Sequence, residues 1–224
     1  FRRICLTALV AGVVAGLFAA ALQRIKLVPL IERAEVYEAA EIHAGRAGTT
    51  MPRAWQPEAG FERAAYTVLA DLVTGIGFAL LLTGAIALAG LRGHGVDAGR
   101  GLLWGAAGFA VFTLAPALGL PPSLPGMEAA GLFARAGVVD RYGDRHRDRT
   151  GLIVFWRGPV HRLIGATVLI LPHVIGAPAP LQRGENVPVE LAAQFVVASI
   201  GTAAAFWLLL GGISGWVYRR LDAA

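Results

Sequence analysis

Long uncharged runs recur along the chain, separated by short charged stretches. Residues 4–23 form the first run. Residues 72–91 form a second, extended upstream by residues 64–71. Residues 101–120 form a third, and residues 191–218 the last and longest. Residues 163–182 are also uncharged, but Pro172, Pro178 and Pro180 interrupt them, so the helix there is short. A hydrocarbon core about 30 Å thick needs about 20 apolar residues in a helix. The pattern therefore predicts an all-helical, polytopic transmembrane bundle. It is one integral membrane domain over residues 1–224.

Composition agrees with the pattern. Of 224 residues, 56% are apolar and 16% charged, where soluble domains carry about 25% charge. Mean hydropathy is +0.60. A soluble enzyme, a disordered chain and a disulfide-built secreted module are all disfavoured. Cys5 stands alone, so there is no internal disulfide and no cysteine-built zinc site. Lys26 is the sole lysine, and no Gly-rich Lys-Ser/Thr phosphate loop exists. No His-Glu-x-x-His helix, Gly-x-Ser-x-Gly elbow or haem-attachment cysteine pair occurs either. The expectation is a non-enzyme without a cofactor. The basic residues flank the apolar runs and form no patch suited to nucleic acid.

Those flanks set the orientation, because short cytoplasmic loops carry the excess of Arg and Lys. Arg2 and Arg3 precede the first span, Arg92 and Arg100 sit between the second and third, and Arg219 and Arg220 follow the last. Both termini are expected on the cytoplasmic side, with residues 26–63 as an external loop. A cleaved signal peptide is the alternative for the first run. Against it stand the run's length and the spacing of Gly12 and Gly16, which suits close helix packing. Gly101 with Gly105, and Gly211 with Gly215, repeat that spacing.

Two cytoplasmic termini demand an even number of crossings, and five spans are intact. The space for a sixth holds an anomaly. Seven charged residues lie within residues 140–149, and each would cost about 2.5–3.5 kcal/mol at the centre of a span. As encoded, this segment is expected to be irregular and solvent-exposed. Read one base later, codons for Asp-Arg and His-Arg yield Ile or Thr. The shifted frame can encode an uncharged helix that begins with a Trp pair. A local frameshift, overwriting the fourth of six spans, is the expectation. The spans are then about 4–25, 64–91, 101–120, a disrupted 137–157, 162–176 and 190–218.

External polar groups supply the candidate chemistry. Glu35, Glu38 and Glu41 recur every three residues, with His43 close by along one helix. This spacing fits either a solvated helix face or a carboxylate and imidazole funnel for a cation. Glu128 follows a turn with three prolines. His173 sits directly after Pro172 inside an uncharged run, where an ionisable group marks a transport pathway or a bond to a neighbouring helix. Glu190, just before the last span, is placed to reach it. Asp71 is the other intramembrane ionisable residue, suited to bind a cation, relay a proton, or pair with Arg63. Histidine with carboxylates suits divalent first-row metals. The candidate metal-binding set is His173, Glu190, Glu35, Glu38 and Asp71. A non-transporting interaction subunit of a metal uptake complex and a membrane-embedded enzyme are the alternative functions.

Several local motifs, in order, carry a family resemblance. They are the basic start and first span, Pro29-Leu-Ile-x-x-Ala-Glu-x-Tyr-Glu38, the Pro-Pro-x-Leu-Pro-Gly126 turn, the Pro-His-x-Ile-Gly-Ala-Pro178 box, and Pro188-x-Glu-Leu before a Trp- and Gly-rich last span. Together they resemble the predicted cobalt transporter subunit CbtA family, over nearly the whole chain. The resemblance implies a bacterial inner-membrane protein that takes up cobalt for cobalamin biosynthesis. It implies a small single-span, histidine-bearing partner, CbtB-like. It points to Glu35, Tyr37, Glu38, His173 and Glu190. The chain departs from the family pattern at Ser123, often Glu there, and at residues 138–149, where a Trp-rich apolar helix is usual.

Overall fold

The computed structural model describes residues 1–43, 55, 57–91, 93, 95–125, 127 and 187–222. The disrupted span at 137–157, the span at 162–176, Glu128 and His173 lie outside the described residues. The protein is all-helical. Its elements are α1 (Arg2–Lys26), α2 (Val28–His43), α3 (Phe61–Gly90), α4 (Ala98–Phe109), a π-helical turn (Ala110–Leu114), α5 (Ala115–Gly119) and α6 (Val189–Arg220). Among the described residues, four segments are long and apolar enough to cross a membrane: α1, α3, residues Ala98–Leu118, and α6. They match four of the five intact spans read from the sequence, each to within a few residues.

Apolar burial alone does not hold helices together in lipid, because the tails are as apolar as the side chains. Close backbone packing through small residues does. α1 buries Ala8, Ala11, Gly12, Ala15, Gly16 and Ala19, a stripe at spacings of three and four. Leu6, Leu9, Val10, Leu17 and Phe18 on its other faces are exposed. The stripe lies against α3. A Cβ on Gly12 would stand 2.5 Å from the Ile76 Cα, and one on Gly16 would stand 2.7 Å from the Asp71 carbonyl. A second such seam joins α4 to α6, where Gly101 and Gly105 face Gly211 and Gly215. The three Gly pairs singled out by spacing are thus the contact points of the bundle. α1 is built into it, packing against α2, α3 and α6.

The close approaches also give the direction of each span. The start of α1 meets the end of α6: the Arg3 Nε donates to the Tyr218 carbonyl at 2.8 Å, and Arg3 pairs with Asp222. The end of α1 meets the first half of α3. The backbone of Asp97, before α4, lies against Gly215 near the end of α6. Each of these neighbouring pairs is therefore antiparallel. Asp97 caps α4, accepting from the Arg100 N–H at 2.9 Å. That hydrogen bond holds the Asp97 carboxyl below the usual carboxylate range. A lowered folded-state value makes the cap's contribution complete above the ordinary range. It is lost only as pH falls through the lowered value.

Pro116 explains the π turn. It has no N–H to give the Phe112 carbonyl, and its ring crowds that carbonyl. The backbone widens by one residue, and the Ala115 N–H bonds the Ala110 carbonyl instead.

A second apolar cluster closes the opposite end of the bundle. Leu27, Ala34, Leu124, Val187, Leu191 and Phe195 are buried together, with Leu30 and Ile31 of α2 packed against them. The proline-rich turn thus carries a specific contact: Leu124, 3% exposed, sits beneath α2. Leu124→Ala is expected to cost about 2–5 kcal/mol. Its signature in limited proteolysis is faster cleavage within α2, with the α4–α6 seam still protected.

Candidate functional site

Between α1, α3, the π turn and α6 lies a cavity of about 330 Å³. Each helix contributes one stripe at helical spacing. From α1 come Ala19, Gln23 and, just beyond its end, Leu27; from α3 come Asp71, Thr74 and Phe78; from α6 come Ser199, Thr202, Ala203, Phe206 and Trp207. Thr113 enters from the π turn. Asp71 and Ser199 each lie ten residues inside their helix, about 15 Å along its axis. Phe78, Phe206 and Trp207 come later in the same helices, so the inner end of the cavity is aromatic. There the Trp207 ring stacks on Phe112 with centroids 5.6 Å apart and lies 4.8 Å from Phe78. Its Nε1 donates to the Thr113 Oγ1 at 3.1 Å. Gly108 leaves room for this ring, since a Cβ there would overlap it.

Among the described lining residues, Asp71 is the charged one. The Gln23 Nε2 donates to its Oδ1 at 2.9 Å. Its Oδ2 is buried and has no hydrogen-bond partner. The pairing with Arg63 does not form. Arg63 reaches the Glu35 Oε1 of α2 instead, at 2.7 Å, so α2 takes the cation nearest along α3. The aspartate is left without a counter-ion among the described residues.

The other sequence-chosen carboxylates fall elsewhere. Glu35 is held by Arg63, Glu38 is half-buried on α2, and Glu190 is exposed in the first turn of α6. Glu35, Glu38 and Glu190 belong to the end of the bundle where the cavity's polar residues lie. No group of three or more His, Cys, Asp or Glu side chains able to hold a metal occurs among the described residues. The polar residues that share the cavity with Asp71 are not among the candidates read from the sequence. Gln23 ends an apolar run, and Thr74, Ser199 and Thr202 are uncharged polar residues inside apolar runs. Their signal is that Asp71 and Thr74, and Ser199 and Thr202, are three apart and so share a helix face.

The family model described as probable cobalt transporter subunit (CbtA) matches residues 1–219, essentially the whole chain. No curated protein matches the chain. No solved structure matches it either.

Proposed function

Since the chain belongs to the CbtA family of probable cobalt transporter subunits, we propose that it is the polytopic subunit that moves cobalt, or a related divalent metal, inward across the bacterial inner membrane. The observation that carries this reading is the Asp71 cavity. A carboxylate without a counter-ion among the described residues sits amid four candidate spans, and ionisable groups at that depth mark ion pathways. The end of the bundle that holds α2 faces outward in this reading, and both termini face the cytoplasm. The arginines support that side: Arg2, Arg3, Arg100, Arg219 and Arg220 lie near the end where α1 begins and α6 stops. Glu38 and Glu190, near the outer end, concentrate the cation. His173 with Glu190 replaces part of its hydration shell, and Asp71 couples a second ion.

A parent architecture of six crossings, with the fourth disrupted in this chain by the charges of residues 140–149, belongs to the same proposal. Leu124 and Val187 share one cluster, so the chain leaves and re-enters the described bundle at the same end. An even number of crossings between them fits that geometry, in keeping with spans at 137–157 and 162–176. The small single-span, histidine-bearing subunit is the proposed partner, and supply of cobalt for cobalamin biosynthesis the proposed purpose.

Accumulation of labelled cobalt tests this, in cells expressing the chain with that partner. His173→Ala and Glu190→Ala are each expected to lower accumulation at least about tenfold, the scale of one lost metal-site interaction, at unchanged membrane abundance. Full accumulation in both variants rejects the proposed ligands. Capture of the partner without any cobalt accumulation identifies an interaction subunit instead.

A further inference from the structure

We propose that the Asp71 cavity is a binding site for one monovalent alkali cation of the sodium class, distinct from the transition-metal cargo. The charge balance comes first. Asp71 supplies a single negative charge, its Oδ2 is buried without a partner, and Arg63 is already engaged by Glu35. A carboxylate with one oxygen buried and unsatisfied, and no counter-ion among the described residues, is costly in a membrane span, and one positive charge offsets that cost. A divalent ion leaves a net positive charge behind, among helices that are otherwise apolar.

The donor set comes second. The polar groups lining the cavity are the Asp71 carboxylate, the Gln23 amide and the hydroxyls of Thr74, Thr113, Ser199 and Thr202. Among the described residues they offer oxygen and no imidazole or thiolate. Cobalt, nickel, copper and zinc favour imidazole nitrogen or sulfur, whereas hard cations take oxygen. With its NH2 given to Asp71, the Gln23 side chain has its carbonyl oxygen free to ligate. Thr113 accepts from Trp207 and keeps a further lone pair. A bare proton needs one acceptor, and this cavity offers several oxygens drawn from four elements. At about 330 Å³ it holds roughly ten water volumes, so water completes the coordination shell of a partly hydrated ion.

The third point is placement. Thr113 sits on the π turn forced by Pro116, where the helix departs from regular pairing. Oxygen groups at broken helices deep in a membrane are typical cation ligands. An ion bound here bridges α1, α3, α6 and the π turn, and so couples its occupancy to their packing. As a driving ion it would serve the transport reading above, but its binding does not depend on cobalt being the cargo.

The test reads binding alone, without cobalt. Thermal unfolding of the full chain in lipid nanodiscs is followed while sodium chloride replaces choline chloride at constant ionic strength. A ligand that binds only the folded state raises Tm with a saturable dependence on its concentration. The expected result is such a rise for sodium, lost in Asp71→Asn. The concentration giving half the rise should increase about tenfold in Ser199→Ala and in Thr202→Val, the scale of one lost hydrogen-bonding group. If Asp71→Asn does not fold, the two hydroxyl variants decide. Three results overturn the proposal: no sodium-specific rise, a rise unchanged in all folded variants, or an equal Asp71-dependent rise with magnesium or cobalt chloride.

Discussion

Gly105→Val is expected to dismantle the seam between α4 and α6. A Cβ on Gly105 would overlap the Trp207 carbonyl oxygen and stand 3.2 Å from the Gly211 Cα. On the facing helix, a Cβ on Gly211 would stand 2.6 Å from the Gly105 Cα. These neighbours are backbone, so no side chain can swing aside. Only separation of the helices makes room. Separation loses the dispersion contacts that hold helices together in lipid, where no hydrophobic gain replaces them. Overpacking by one methyl group costs about 1–3 kcal/mol, so Gly105→Ala should fall in that range and Gly105→Val beyond it. Gly77 is the control: nothing lies within 4 Å of a Cβ built there. Gly77→Ala should leave thermal unfolding in detergent unchanged, while Gly105→Val should lower Tm sharply. Equal stability of the two variants would mean that α4 and α6 do not meet at these glycines.

Blocking the cavity is expected to have the largest effect on function. Ser199 lies on its α6 wall, one helical turn before Thr202 and Ala203 and two turns before the aromatic inner end. A thiol placed at 199 and tagged with a bulky polar reagent would fill much of the about 330 Å³ available. Cobalt accumulation should then fall to the level of cells without the protein. Cys5, the sole native cysteine, sits in the first turns of α1, at the end away from the cavity's polar groups. Removing it leaves 199 as the single reactive position.

The spans and their seams were legible in the sequence because each follows from a local rule. An uncharged run of about 20 residues predicts a crossing, and Gly-x-x-x-Gly predicts a close approach. Gly12 with Gly16, and Gly101 and Gly105 against Gly211 and Gly215, obey both. Asp71 was legible for a similar reason, as a charge in an apolar helix. Its surroundings were not. Gln23 is separated from it by 48 residues, and nothing local says that the two meet. Arg63 lay two turns from Asp71 on one helix, a pairing that spacing allows. The structure gives Arg63 to Glu35, because α2 brings that carboxylate within side-chain reach of the start of α3. Thr113 depended on a π turn that only the clash at Pro116 would suggest. Leu124 looked like one residue of a rigid proline turn, and its burial beneath α2 needs the whole bundle.

Transport of cobalt is expected to depend on the cavity around Asp71. The most direct measurement is cobalt accumulation by Cys5→Ala/Ser199→Cys cells before and after treatment with a membrane-impermeant thiol reagent, with tagging at 199 quantified by mass spectrometry. The predicted result is measurable accumulation before treatment and its loss in proportion to the fraction tagged, with Cys5→Ala cells unaffected by the reagent. Full accumulation by fully tagged protein would contradict the claim.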